Sequence, residues 1–381
     1  MQRFCHILIV VLFAFSTFHA RMASAETPKP PPEPDSGAVV CSPAVYLVQP
    51  DGCVALGPSI YLTNQAQIAL AASEPLPASP PDPALVALPF QYFHVITQDP
   101  LPIVGSPGDK TGAQLLYPGF VYVAYKDRVD TGHGIYYLTQ SGGWVIGRGE
   151  RYQEVPDFQG LQFSATPGNS FGWTFEDIPI KSGPGYGAAD TGRRLVPFSV
   201  VQIFDTKTVG GADWNMIGLN EWVEARKVAQ VVVNTAPPDG TNNTKRWIDV
   251  NLAEQTLAVY DNDQLVFATV IASGMEPFYT RPGLFQIQQK KETETMRDND
   301  PSDFYYIEDV PWTMYFDGPR ALHGAFWRTR FGYAQSHGCV NLSVGDAHWL
   351  FNWANVGDYV FVHDPTGKTP TDPSFYKGGA Y

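Results

Sequence analysis

The chain has 381 residues and a formal net charge of −13, so nucleic acid and anionic lipid headgroups are not expected as bulk partners. Charged residues are only 17 %, aromatics reach 13 %, and there are 35 glycines and 33 prolines. This balance suits β-rich domains with many turns and Pro-rich connectors, and the length allows two to four domains.

Residues 1–25 read as a secretory signal peptide. Arg3 supplies the positive start, Phe4 to Phe18 is apolar apart from His6, Ser16 and Thr17, and Ala23-Ser24-Ala25 is a small-residue cleavage site. The apolar run is shorter than the ~20 residues a spanning helix needs, so cleavage is expected over anchoring. No later segment is long and apolar enough to span a bilayer, so no integral membrane span is expected after cleavage. The protein is then exported, to the periplasm or to the cell wall and extracellular face. Cleavage removes Arg3 and Arg21 and no acid, leaving 23 basic against 38 acidic residues and a net charge of −15.

Residues 26–37 are a Pro-rich tether, extended and semi-rigid (Thr27 to Ser36 reads TPKPPPEPDS). Residues 38–89 hold a small segment followed by a second Pro-rich linker. Cys41 and Cys53 lie close together there, and an oxidising compartment favours a disulfide between them. Lipidation of Cys41 is the weaker alternative, because it lies well past the apolar run. Cys5 leaves with the signal, so Cys339 is the odd thiol.

An internal repeat follows, over 90–155 and 170–234. Leu101-Pro102-Ile103-Val104-Gly105-Ser106-Pro107-Gly108 resembles Ile178-Pro179-Ile180-Lys181-Ser182-Gly183-Pro184-Gly185. Each copy continues with a Leu-containing step, a proline, a β-branched strand (Val121-Tyr122-Val123; Val200-Val201-Gln202-Ile203) and a Trp-Val pair (Trp144-Val145; Trp222-Val223). Two copies of one all-β unit of about sixty residues are expected. Both resemble bacterial SH3-like domains. That resemblance implies two small β-barrels, acting either as wall-binding modules or as spacers.

Thr235 to Thr244 marks a boundary, and strands resume at Trp247–Val250, Thr256–Tyr260 and Leu265–Ile271, with Asp261-Asn262-Asp263 as the turn of a hairpin. Ser343 reads as a helix N-cap with Asp346 three residues on. Ala347, Leu350, Phe351 and Ala354 fall at helical spacing, and Asn355 and Gly357 stop the helix. Tyr359 to His363 returns as a strand, and 365–381 is a C-terminal tail.

Ser336-His337-Gly338-Cys339-Val340-Asn341 carries the chemistry, with His323-Gly324 upstream. A lone thiol with imidazoles nearby is the minimum kit for a cysteine nucleophile, since the thiolate attacks and an imidazole takes its proton. Gly338, having no side chain, admits a substrate close to the backbone, where N–H groups at Gly338 and Cys339 can hold an oxyanion. His337 and Cys339 are two apart, so an extended segment turns both to one side. No close-spaced zinc pattern is present, so neither metal nor cofactor is expected.

This motif, over roughly 246–364, resembles the signature of the L,D-transpeptidases of the bacterial cell wall. The resemblance implies a mainly β catalytic domain with a short helix after the nucleophile. It implies that Cys339 attacks the third-residue carbonyl of a peptidoglycan tetrapeptide stem and forms a thioester. Transfer to an amine acceptor then gives a 3-3 cross-link. His323 takes the base role, His337 shapes the site, and Ser336 and Asn341 orient the loop. Gly324, Arg281, Tyr315 and Trp312 are candidate substrate contacts, and the aromatic run Tyr305, Tyr306, Trp312, Tyr315 and Phe316 is a candidate source of walls or a lid. Two alternatives stay open: an L,D-carboxypeptidase hydrolysing the same acyl-enzyme, and a non-catalytic peptidoglycan-binding protein.

Overall fold

The computed structural model describes residues 40–41, 54–55 and 75–376, except 113, 148–150, 153–154, 156, 242–243 and 299–303. The chain divides into two compact units between Gln67 and Ile68. In the first, Val40–Cys41 pairs in parallel with Val54–Ala55. The signal segment, the first proline tether and the expected Cys41–Cys53 bridge lie outside the described residues.

Within the second unit, the described residues of the C-terminal region form nine strands and a helix. In chain order these are β1 (Arg246–Asn251), β2 (Thr256–Asp261), β3 (Gln264–Val270), β4 (Gly283–Gln286), β5 (Gln289–Asp298), β6 (Tyr305–Asp317), β7 (Arg320–Gly324), β8 (Val340–Leu342), α1 (Val344–Trp353) and β9 (Tyr359–His363). One sheet runs β4-β9-β1-β2-β3 and continues into Leu161–Phe163 and Ala78–Ser79. β1, β2 and β3 are antiparallel, while β9 lies parallel to β1. Asn262 and Asp263 turn the β2–β3 hairpin at φ 50° and 62°, a left-handed conformation that Asn and Asp tolerate.

Side chains alternate across this sheet and serve two cores. Ile248, Val250, Leu257, Val259 and Phe267 face one core with Leu350 and Ala347 of α1. Trp247, Ala258, Tyr260, Leu265 and Ala268 face the other, with Phe171, Trp173 and Val231. Burial on both sides explains why β2 reads as a near-continuous apolar run. Truncating Leu350, fully buried under the helix, is expected to cost about 2–5 kcal/mol.

α1 starts where its cap predicts: the Ser343 hydroxyl accepts from the Asp346 N–H at 3.2 Å. The Asp346 carboxylate is fully buried and accepts from the Gly160 N–H at 2.8 Å and the Thr269 hydroxyl at 2.5 Å. Burial pushes it up to about 6. The second Pro-rich stretch also packs on this sheet. Ala78–Ser79 pairs with Gln162–Phe163, and the Leu85 carbonyl, in a 3-10 turn, lies 3.2 Å from His348 Nδ1.

A second sheet holds β5, β6, β7 and β8. β6 is antiparallel to β5 and β7, and β7 is parallel to β8. Its ladder continues outside the C-terminal region, because Tyr305–Ile307 of β6 pairs in parallel with Phe120–Tyr122.

The repeat in the sequence is matched by a repeat in strand pairing. In the first copy Gln91–His94 pairs with Phe120–Asp130 and Arg151–Tyr152, Leu101–Ile103 with Gln114–Leu116, and Ile135–Thr139 with both Phe120–Asp130 and Trp144–Ile146. In the second, Ser170–Thr174 pairs with Val200–Ile203 and Val228–Val231, Ile178–Lys181 with Asp190–Leu195, and Ala212–Gly218 with Asp205–Val209 and Glu221–Glu224. The equivalent crossing contacts are Val104↔Trp144 and Lys181↔Trp222. The expected closed barrels are not found among the described residues. In the second copy the three-stranded and five-stranded sheets stay separate, and in the first the long strand runs on into β6. No helix among the described residues is long and apolar enough to cross a membrane.

Candidate active site

β7 and β8 bring the two halves of the motif together. Their parallel register sets Leu322 beside Val340, His323 beside Asn341 and Gly324 beside Leu342. Alternation along each strand then puts Cys339, Asn341 and His323 on one face. The loop before β8 is pinned from the other side. Ala272 and Asn341 exchange backbone hydrogen bonds at 3.0 and 2.9 Å, and the Met275 N–H donates to Ser336 at 3.0 Å.

Gly338 sits at φ +113°, a conformation that side chains disfavour, and a Cβ there would lie 3.1 Å from Arg320 Nε. This turn breaks the expected extended path, so Cys339 is buried and His337 is exposed. The Ser336 hydroxyl accepts from the Gly338 N–H at 3.1 Å and donates to the Cys339 carbonyl at 2.5 Å. The Gly338 carbonyl accepts from Thr280 at 2.9 Å.

His323 is fully enclosed and both ring nitrogens are engaged. Nδ1 lies 3.3 Å from the Gly324 carbonyl and Nε2 lies 3.0 Å from Asn341 Nδ2. The Asn341 oxygen accepts from Arg328 Nε, so its NH₂ donates to His323. Nε2 is therefore the unprotonated nitrogen, and Nδ1–H donates to Gly324. Burial holds the imidazole down at about 4, with Arg328 adding repulsion. Burial likewise pushes the Cys339 thiol up, opposed by the Ala321 backbone and the Arg320 guanidinium. The Cys339 thiol donates weakly to the Pro319 carbonyl at 3.9 Å. At neutral pH the thiol and the imidazole are therefore both neutral.

A pocket of about 240 Å³ opens over this face, lined by His323, Ser336, His337, Cys339 and Asn341. The β5–β6 hairpin adds Met296, Tyr305 and Ile307, and Trp327, Arg328 and Gln335 close the side. The remaining wall is Phe120, from the first repeat copy. His337 packs against Phe278 and Tyr305, ring centroids 4.7 and 5.6 Å away.

Arg281, Trp312 and Tyr315 do not line this pocket. Arg281 makes a two-point pair with Asp317 and lies 4.8 Å over the Phe285 ring, away from the pocket lining. Trp312 stacks on His348 at 3.7 Å. Tyr315 borders a second cleft with Gln288 and Lys291 and lies within electrostatic reach of Cys339. Of the five aromatics before His323, Tyr305 alone lines the pocket. Sequence reasoning missed Phe120, Met296, Trp327 and Arg328. Arg328 had a signal in its position between the two motif halves. Phe120, about two hundred residues away, had none.

Residues 245–362 match the family model of the L,D-transpeptidase catalytic domain. The chain carries an L,D-transpeptidase catalytic domain. It is 29 % identical over 191 residues to L,D-transpeptidase 1 of Mycobacterium tuberculosis, covering 45 % of this chain and 74 % of that protein. It is 20 % identical over 159 residues to the putative L,D-transpeptidase YciB of Bacillus subtilis, covering 34 % of this chain and 73 % of that one. Among solved structures, an L,D-transpeptidase from Stackebrandtia nassauensis is 28 % identical with a TM-score of 0.27, over 34 % of this chain and 59 % of that one. The catalytic domain of the Enterococcus faecium L,D-transpeptidase is 25 % identical with a TM-score of 0.29, over 32 % of this chain and all of that one. The L,D-transpeptidase match thus spans the sheet around β1 to β3, the β5–β6 hairpin and both motif strands.

Proposed function

We propose that the protein is an exported cell-wall L,D-transpeptidase in which Cys339 is the nucleophile and His323 the base. The observation that carries this reading is the shared face of Cys339, His323 and Asn341 beneath one pocket. The Cys339 sulfur attacks the amide carbonyl of a peptidoglycan tetrapeptide stem as its proton passes to His323 Nε2. Asn341 marks that nitrogen at rest and yields it as substrate seats, while the Gly324 carbonyl holds the ring through Nδ1–H and stabilises the imidazolium. The Gly338 N–H already donates to Ser336, so the Cys339 N–H is the oxyanion donor. Collapse breaks the C–N bond, and the imidazolium gives its proton to the leaving amine. An incoming primary amine then attacks the thioester, loses its proton to His323 and expels the thiolate, which is reprotonated. The two repeat copies are SH3-like modules, and the first also supports the site.

Incubating the mature chain with a carbapenem and measuring intact mass tests this. One adduct is expected on wild type and none on Cys339→Ala. His323→Ala is expected to lower the acylation rate by several orders of magnitude, and His337→Ala by about tenfold or less. The reverse ranking would exchange the two histidines' roles.

A further inference from the structure

We propose that Phe120, supplied by the first repeat copy, contacts the amine acceptor in the transfer half-reaction. This rests on the transpeptidase reading of Cys339 and His323, and it assigns to the first repeat copy a part in choosing the acceptor.

The first copy is built into the pocket wall. Phe120–Tyr122 forms a parallel ladder with Tyr305–Ile307, and the Phe120 N–H donates to the Phe304 carbonyl at 3.3 Å. The approach is so close that a Cβ at Gly119 would lie 2.3 Å from that carbonyl oxygen. Two further ties fix the joint. Buried Glu308 accepts from the Ala124 and Ser141 N–H groups at 3.2 and 3.3 Å, and the Tyr92 hydroxyl donates to the Asp309 carbonyl at 2.6 Å. Phe120 thus stands on a fixed support, and its side chain is not consumed by the core: the residue is 40 % exposed.

The ring's position gives it a side. Phe120 meets Trp327 edge-to-face at 6.1 Å, and Trp327 lies 5.7 Å from the His323 ring. The leaving amine takes its proton from His323 and the incoming amine gives one to it, so both occupy the His323 side of the thioester. Phe120 and Trp327 extend that side toward the mouth. An aromatic wall there suits a primary amine on a short aliphatic chain. Its methylenes pack on the rings, and its ammonium is held by their faces before deprotonation.

The experiment separates the two half-reactions. Acylation is followed with a carbapenem by intact mass, which involves no acceptor. Transfer is followed with a tetrapeptide donor and increasing Nα-acetyl-lysine amide as the acceptor. Phe120→Ala is expected to raise the acceptor KM about tenfold, well beyond any change in the acylation rate. Phe120→Tyr, which keeps the ring, should restore the KM to within twofold. Val129→Ala, at the exposed far end of the same strand, is the control for general disturbance of the unit and should match wild type in both assays. An unchanged acceptor KM in Phe120→Ala, with normal wild-type acylation, overturns the proposal and leaves the transpeptidase reading standing. Equal losses in both half-reactions also overturn it, because they report a disturbed pocket rather than an acceptor contact. Failure of wild type itself to form the adduct refutes the underlying reading.

Discussion

The two repeat copies pair their strands in the same order but use one edge differently. In the first, the start of the long strand Phe120–Asp130 is an edge that β6 occupies, so the unit becomes part of the pocket. In the second, the comparable strand Val200–Ile203 pairs, among the described residues, only with Ser170–Thr174, and Val196 and Val200 are exposed. The second copy instead packs Phe171, Trp173 and Val231 against the sheet face around Trp247 and Tyr260. The first copy is joined by a backbone ladder as well as by side chains, with Tyr306 in its core, and the second packs through its side chains. Only an edge carries a residue into a neighbouring site in fixed register, because ladder hydrogen bonds specify position residue by residue.

Matched glycine substitutions give the strongest test of that contrast. A Cβ at Gly119 meets the Phe304 carbonyl at 2.3 Å, and one at Gly172 meets the Ala229 carbonyl at 2.2 Å. The clashes are nearly equal in size but fall at the joint with β6 in one case and inside the second repeat copy in the other. Gly119→Ala is expected to lower carbapenem acylation at least tenfold. Gly172→Ala is expected to lower the melting temperature while leaving acylation within threefold. Equal kinetic losses would mean the second repeat copy also shapes the pocket.

Glu308 offers a smaller effect. Glu308→Ala strands the Ala124 and Ser141 N–H groups, a loss of about 1–3 kcal/mol that chemical denaturation should detect. Burial pushes this carboxyl up to about 7 against an unfolded value near ~4.3, with the Ser141 and Ala124 donors opposing. The folded state therefore binds the extra proton between those values. The stability this contributes is complete below the unfolded value and is lost as pH rises toward 7. Wild type should lose stability relative to Glu308→Gln between pH 5 and 8. A constant difference would show that the carboxyl is ionised throughout. Smallest of all, Arg193→Ala, which removes an exposed pair with Glu221 in the second repeat copy, should move neither stability nor acylation measurably.

Much of this was legible in the sequence where the signal is local. The hairpin turn at Asp261–Asp263, the Ser343 cap and the strand at Tyr359–His363 follow from turn chemistry, capping and periodicity, each acting over a few residues. The motif halves brought His323, Cys339 and Asn341 to attention, and their shared face follows once β7 and β8 are parallel. What remained hidden is long-range or depends on one backbone angle. The turn at Gly338 separates His337 from Cys339 in exposure, against the alternation that an extended segment implies. Arg281 and Trp312 satisfied themselves locally, on Asp317 and His348. Phe120 reaches the pocket through a parallel ladder across 184 intervening positions, a pairing that neither strand announces.

The acylation rate constant as a function of pH, measured by intact mass with a carbapenem on wild type and on Cys339→Ala, tests the central claim most directly. A buried neutral imidazole held down at about 4 beside a neutral thiol must lose activity only as pH falls toward 4, so the wild-type rate should be level from pH 6 to 8. The Cys339→Ala protein should show no adduct at any pH. A wild-type rate that rises tenfold per unit across that range would contradict the account, since it would mean that free thiolate attacks without help from His323.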